Sequence, residues 1–313
     1  MKALITFKYK DEEMKLLEDL GYEIIFNDER DFSFSEDMKD AEVLVCFDPF
    51  KKLDIDLFPK LKWIQLLTAG INQVPVEKVL KKNIVLTNSR GVYSIPIAEW
   101  IVLKALEMIK NSRDFYKKQE EKIWKMDTSL LEIYGKIVGF LGTGSIAQEA
   151  AKRLQAFGVK IVGFNRTGRN AEHFHQSYPI DKINQEISQC DFFVITTPYT
   201  EETHHLINEE VFSHMKDGTY LINIARGSII DEKALIENLK SGKIKKAALD
   251  VFETEPLPED SPLWDMENVI ISPHNSWGSE MISRRRFEIA YENMKRYINN
   301  EELINIVDLE RGY

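Results

Sequence analysis

Only two cysteines occur in 313 residues, Cys46 and Cys190, each in or beside an apolar strand-like run and without a partner at metal-ligand spacing. That excludes a disulfide framework or a zinc ribbon and reads as two buried thiols. No apolar run approaches the roughly 20 residues a membrane span needs, and the stretch Ala3 to Phe7 is too short for the core of a signal peptide. A cytoplasmic protein with no membrane segment is expected. Basic residues are outnumbered, 41 Lys+Arg against 51 Asp+Glu, for a net charge of −10. A general nucleic-acid binder, which needs a dominant basic surface, is therefore not expected, and Arg284 to Arg286 read as a charged helix face. His173, His175 and the pair His204-His205 lack i, i+4 spacing and have no Cys or acid at ligand spacing, so they read as solvated loop histidines and no metal site is expected. What remains is 43% hydrophobic and 29% charged, enough material for two cores and about two domains.

The segment 137–167 is the most informative. An apolar run (Ile137, Val138, Phe140, Leu141) enters Gly142-Thr143-Gly144-Ser145-Ile146-Ala147, and Ile146, Ala150 and Leu154 then recur on one face of a following helix. A second apolar run, Ile161 to Phe164, completes a strand, helix, strand unit. Gly142 permits a tight turn, Gly144 lets the backbone approach a pyrophosphate, and Ser145 and Ile146 open a helix whose N-terminus offers N–H groups and a positive dipole end. The third glycine of the fingerprint is Ala147, which the motif tolerates. Beyond the second strand stand Asn165, Arg166 and Thr167, 23 residues and more past Gly142, where an NAD-binding protein usually places an acid against the ribose. A guanidinium there suits a 2′-phosphate, so NADP(H) is preferred, with NAD(H) possible.

Further short apolar runs alternate with helical stretches along the chain: Ala3 to Phe7, Val43 to Phe47, Trp63 to Leu67 and Ile84 to Thr87 before the long helix Ile95 to Lys110, then Phe192 to Ile195, Tyr220 to Ile224, Ala247 to Asp250 and Val269 to Ile271 after the dinucleotide unit. The class is α/β: two Rossmann-like domains, parallel sheets flanked by helices. The helical pattern Ser279 to Asn299 returns to the first domain. The expected division is a discontinuous substrate domain, 1–97 with 279–313, and a dinucleotide-binding domain, 98–278.

Three segments fall at strand ends, where open parallel sheets bind ligands: Asn223-Ile224-Ala225-Arg226-Gly227, Leu249-Asp250-Val251-Phe252-Glu253-Thr254-Glu255-Pro256, and Pro273-His274. With the phosphate loop, their order and spacing resemble the D-isomer-specific 2-hydroxyacid dehydrogenases, the family that includes glyoxylate and hydroxypyruvate reductases. The resemblance runs over nearly the whole chain and is strongest from Lys136 to Trp277. It implies that Arg226 holds the substrate carboxylate and keto oxygen, that Glu255 hydrogen-bonds the catalytic histidine, and that His274 exchanges a proton with the substrate oxygen. It also implies that Ala69 and Gly70 offer backbone N–H groups to the carboxylate. Thr197, Pro198, Ile224 and Ala225 would line the cofactor, and Asp250 would stand near the nicotinamide carboxamide.

The expected activity is NADPH-dependent reduction of a small 2-keto acid to the D-2-hydroxy acid, with His274 as general acid and base. The chemistry agrees, because charge developing on a carbonyl oxygen needs a donor that titrates near neutrality. A formate dehydrogenase would carry glutamine in place of Glu255. The alternatives are an NAD-dependent D-2-hydroxyacid dehydrogenase and a non-catalytic, corepressor-like module that senses NAD(P). Trp100, where many relatives have histidine, and Asn275-Ser276-Trp277 depart from the family pattern and leave the substrate pocket open. The resemblance further implies a homodimer, with Ile95 to Lys110 and Tyr116 to Trp124 as contacts.

Overall fold

Short runs buried at consecutive positions, rather than at alternate ones, build the middle of both sheets. Val43–Cys46, Trp63–Leu66 and Phe192–Ile195 are buried at every residue, the pattern of parallel strands covered on both faces. The computed structural model describes residues 1–309. The chain divides into two units, Met1–Tyr93 with Ser279 onward, and Ser94–Gly278. Residues 310–313 of the expected segment 279–313 lie outside the described residues.

The first unit holds strands β1 (Lys2–Ile5), β2 (Glu23–Phe26), β3 (Val43–Cys46), β4 (Trp63–Leu66) and β5 (Val85–Thr87), with helices α1 (Asp11–Asp19) and α2 (Val76–Lys81). They pair in the order β2-β1-β3-β4-β5, every pair parallel. Three acids crowd the first turn of α1 and suit its positive dipole end. Gly21, at φ +98, lets the chain turn back after it. Strand β2 has no counterpart among the expected strands. It is an edge strand, Glu-Ile-Ile-Phe, without a fully buried residue, and its apolar run of three is too short to stand out from the surrounding chain.

The second unit begins with α3 (Ser94–Ile109) and α4 (Ser112–Glu120) and then alternates: β6 (Ile137–Leu141), α5 (Ser145–Gln155), β7 (Lys160–Asn165), β8 (Gln176–Pro179), α6 (Ile183–Glu186), β9 (Phe192–Ile195), α7 (Glu209–His214), β10 (Thr219–Asn223), α8 (Glu232–Ser241), β11 (Ile244–Leu249) and β12 (Val269–Ile271). The sheet order is β12-β11-β10-β9-β6-β7-β8 and all pairs are parallel. Strand order therefore reverses at β6, between β7 and β9, the point where a doubly wound sheet opens a ligand crevice at its carboxyl edge. Strand β8, Gln-Ser-Tyr-Pro at the far edge, is largely polar and has no counterpart among the expected strands. A division after residue 97 would cut α3, which runs unbroken from Ser94 and packs against α5. The boundary instead precedes the helix.

Helix α9 (Ile282–Ile298) belongs to the first unit. Asn293, fully buried, donates to Gln65 Oε1 at 2.8 Å and to the Ile304 carbonyl at 3.0 Å, and accepts from the Ile304 N–H at 2.7 Å. Gln65 Oε1 also accepts from Thr87, whose hydroxyl takes the Trp63 indole N–H at 2.8 Å. Each buried polar atom in this group has its partner, which is what makes such a network stabilising rather than costly.

Both cysteines are free and buried. Burial pushes the Cys190 thiol up to about 12 and raises that of Cys46 well above its ordinary value. Cys190 also packs tightly on Gly139, where a Cβ would lie 2.5 Å from its Sγ.

Candidate active site

The glycine turn after β6 has two glycines with different reasons to be glycine. Gly142 has φ +93, and a Cβ there would lie 2.8 Å from the Thr197 nitrogen, so both backbone conformation and packing forbid a side chain. The same contact brings the loop after β9, with Thr197 and Pro198, against the loop after β6. Thr196 reinforces it, its hydroxyl donating to the Leu141 and Gly142 carbonyls at 3.0 and 3.1 Å. Gly144 caps α5 at negative φ, and a Cβ on it would meet nothing within 4 Å. The protein's own packing does not require glycine there. What the missing side chain leaves is an open approach to the first turn of α5, where Ser145 and Ile146 present backbone N–H groups and the helix dipole is positive. These residues fit a dinucleotide pyrophosphate.

At the end of β7 the expected ribose contacts behave differently from one another. Asn165 accepts from the Thr167 and Gly168 N–H groups at 3.1 and 2.8 Å, and donates to the Arg169 carbonyl and to Thr143 Oγ1 at 2.9 and 3.1 Å. Its amide is thus taken up in shaping the turn, and Asn165 is a scaffold for the loop rather than a group free to meet a ribose. Arg166 and Thr167 are exposed.

The segment after β10 is held by Asn223, which accepts from the Ala225 N–H at 3.1 Å and donates to the Arg226 carbonyl at 3.0 Å. The crowded surroundings of the Arg226 guanidinium lower its pKa from the ordinary value, while the Glu255 carboxylate acts the other way; an arginine so placed remains a cation. Ile224 and Ala225 are buried, so what they can present to a cofactor is limited to their surface at the strand end. Gly227 admits no side chain, since a Cβ would sit 1.8 Å from the Phe252 carbonyl carbon. The Arg226 turn and the Glu255 loop therefore touch backbone to backbone.

Glu255 accepts from the Phe252 N–H through Oε1 at 3.0 Å, and its Oε2 lies 2.8 Å from His274 Nδ1. A carboxylate accepts only, so His274 carries its proton on Nδ1 in this contact and Nε2 is left for a substrate. His274 has φ +49, uncommon for a residue other than glycine. Several bonds hold it there: its N–H donates to the carbonyls of Asp250 and Ser272 at 2.8 and 3.1 Å, and its own carbonyl takes the Trp277 indole N–H at 2.9 Å.

Asp250 was expected beside the nicotinamide carboxamide. It is fully buried, and its carboxylate accepts from the Ser272 hydroxyl and from the N–H groups of Asn275 and Ser276, the latter two at 2.9 Å. Its side chain thus anchors the loop that carries His274. Nothing in the motif Leu-Asp-Val-Phe distinguishes that inward role from an outward one.

In the first unit, Ala69 and Gly70 lie in the loop after β4. The Thr68 carbonyl accepts from the Ser89 N–H at 2.9 Å, that of Ala69 from the Asn88 amide at 2.8 Å, and that of Gly70 from the Thr68 hydroxyl at 2.8 Å. With the carbonyls committed, the N–H groups of Ala69 and Gly70 find no acceptor among the described residues, an arrangement suited to an anion.

The remaining histidines are not simply solvated. His175 Nδ1 accepts from the Ile161 N–H at 3.0 Å, and His205 Nε2 lies 2.6 Å from Glu253 Oε1. No group of three His, Cys, Asp or Glu residues able to hold a metal occurs among the described residues, and no described helix is long and apolar enough to cross a membrane.

A doubly wound sheet with an open glycine turn at its switch point, and an acid-held histidine at the carboxyl edge, defines a dinucleotide-binding enzyme. Residues 102–276 match the family described as D-isomer specific 2-hydroxyacid dehydrogenase, NAD binding domain. The chain is 34% identical to the D-3-phosphoglycerate dehydrogenase of Methanocaldococcus jannaschii over 99% of its own length, and spans 60% of that relative. It is 31% identical to the glyoxylate reductase of Korarchaeum cryptofilum, covering 88% of this chain and 85% of the relative. The crystal structure of a D-isomer specific 2-hydroxyacid dehydrogenase from Xanthobacter autotrophicus Py2, in complex with NADPH and MES, superposes with a TM-score of 0.84 at 29% identity and covers 99% of both chains. The chain belongs to the D-isomer-specific 2-hydroxyacid dehydrogenases, and it is an oxidoreductase.

Proposed function

We propose that the enzyme reduces a small 2-keto acid of the glyoxylate or hydroxypyruvate type to the D-2-hydroxy acid, with NADPH preferred over NADH. The observation that carries this reading is the contact of His274 Nδ1 with Glu255 at 2.8 Å, which orients Nε2 to give a proton. The glyoxylate reductase relative and the NADPH bound in the similar structure support substrate class and cofactor. When bound, the nicotinamide supplies the hydride that reduces the carbonyl carbon. Gly142, Gly144, Ser145 and Ile146 hold the pyrophosphate, Arg166 and Thr167 the 2′-phosphate, and Thr197, Pro198, Ile224 and Ala225 the face of the cofactor.

Arg226 draws the keto oxygen and carboxylate toward its planar fork of donors. His274 donates a proton to the oxygen as negative charge develops there, and Glu255 stabilises the imidazolium before that transfer. Asp250 keeps His274 in place through the loop 272–276. The enzyme acts in the cytoplasm, in keeping with two reduced, buried thiols. Its assembly is a homodimer formed through the second unit, where Ile123, Trp124 and Met126 stand exposed, Trp124 completely so at 100%.

The test is a panel of glyoxylate, hydroxypyruvate, pyruvate and phenylpyruvate assayed with NADPH and NADH in parallel. The expected result is the highest kcat/KM for glyoxylate or hydroxypyruvate with NADPH. Absence of turnover on all four acids would overturn the reading.

A further inference from the structure

We propose that His205 is a positioning residue for the Glu255–His274 pair, acting through a second histidine–carboxylate contact, His205–Glu253, that ties the Glu255 loop to the Arg226 turn. This rests on the catalytic reading given above for Glu255, His274 and Arg226.

His205 is bound on both sides. Its N–H donates to the Ser228 carbonyl at 2.8 Å, two residues past Arg226, and the pairing continues as Ile207 N–H to Ile229 at 3.0 Å and Asp231 N–H to Ile207 at 3.0 Å. The backbone at 205–207 is thereby laced to the turn that carries Arg226. Its imidazole reaches the other way, with Nε2 2.6 Å from Glu253 Oε1. Glu253 stands two residues before Glu255.

The peptide units around Glu253 transmit that contact. The Phe252 N–H holds Glu255 Oε1 at 3.0 Å, while the Glu253 N–H donates to Glu232 Oε2 at 3.3 Å and the Glu232 N–H donates back to Glu253 Oε1 at 3.3 Å. A shift of Glu253 therefore strains the 252–253 peptide, the neighbour of the one whose Phe252 N–H fixes the carboxylate of Glu255. The close approach of Gly227 to Phe252 leaves no slack between the two loops. Two carboxylates, Glu253 and Glu232, face each other here, and the imidazole brings the hydrogen-bond donor that such a pair needs.

His205 itself is held in an uncommon state. Its φ is +48, a conformation uncommon for a residue other than glycine, which persists where the surroundings fix it. His204 stacks on its ring at 4.0 Å between centroids and 18° between planes, and Tyr199 Oη lies 3.4 Å from His204 Nδ1. The imidazole is thus packed in the orientation that meets Glu253.

The experiment compares His205→Asn, His205→Gln and Glu255→Gln in the full-length enzyme, with keto-acid reduction followed in H2O and D2O. Asparagine tolerates positive φ but is too short to reach Glu253, whereas glutamine can place an amide N–H where Nε2 stands. For H205N, kcat is expected to fall about tenfold, the scale of a small displacement of a catalytic group. The KM for NADPH stays within about twofold, because the Gly142 turn is untouched, and the solvent isotope effect on kcat rises as proton transfer becomes slower. H205Q is expected to recover most of the loss. If H205N does not fold, Glu253→Asp withdraws the carboxylate from the same contact and is expected to show the same loss and the same isotope effect. Wild-type kcat and isotope effect in H205N, or in E253D where that variant stands in for it, overturn the proposal, as does an H205Q no better than H205N. A fully active Glu255→Gln would instead sink the catalytic reading beneath it; an impaired Glu255→Gln beside an unimpaired H205N would sink the positioning role alone.

Discussion

His274 depends on two carboxylates that approach it by different routes. Glu255 meets the imidazole directly at 2.8 Å, whereas Asp250 never touches the ring and instead holds the backbone of residues 275 and 276. The first contact sets which nitrogen carries the proton, and the second sets where the ring can be. His274→Ala removes the donor without disturbing the glycine turn after β6. It is expected to retain dinucleotide binding, measured by fluorescence titration, and to lose about 10²- to 10⁴-fold in turnover, the usual contribution of a positioned proton donor. Unimpaired turnover in this variant would move the chemistry elsewhere.

Among the elements, the turn after β7 is the one on which the proposed preference for NADPH rests. Asn165 closes the turn with its own amide, and Gly168, at φ +70, follows it where a Cβ would lie 2.7 Å from Pro179. Arg166 and Thr167 project from a loop whose shape is fixed independently of any ligand. Arg166→Asp is expected to lower the ratio of kcat/KM with NADPH to that with NADH by at least about tenfold, the effect of losing one charge-assisted phosphate contact worth roughly 1.5 to 3 kcal/mol. An unchanged ratio would place Arg166 outside the cofactor site. The edge strands β2 and β8 teach a related lesson. Neither carries a run of buried residues, and they are strands because a buried neighbour offers a free row of backbone donors and acceptors.

For the whole molecule, the discontinuous first unit is secured at its far end by α9. Tyr22 donates its hydroxyl to the Met294 carbonyl at 2.8 Å, and Trp63 stacks on Tyr297 with ring centroids 5.0 Å apart. The last helix is part of that unit's core, and the chain must return to complete it. The proposed assembly rests on the other unit. Trp124 at 100% exposure and Met126 at 85% stand on a segment without regular structure, with Tyr116 and Tyr134 also open. Leaving them in water forgoes roughly 1.5 to 3 kcal/mol for each large apolar side chain that could be buried. A second copy of the chain is expected to cover them. Sedimentation should show a dimer for the native enzyme, and Trp124→Glu should shift it toward monomer at micromolar concentration. A native protein that sediments as a monomer would refute the assembly.

By itself the sequence determined the α/β class, most strands of both sheets and the glycine turn after β6, and its resemblance to the family singled out Arg226, Glu255 and His274, of which the last two meet at 2.8 Å. The strands and the turn are legible because a buried parallel strand is apolar at most positions, and because a glycine turn between strand and helix has few other uses. Tertiary structure alone decided which polar groups face inward. Asn165 and Asp250 look like ligand contacts in the chain and are scaffolds in the fold. His205 looks like a solvated loop residue and is paired with Glu253, 48 positions away. A hydrogen bond between distant loops depends on directions that only the packed sheets impose, and residue type and spacing do not encode them.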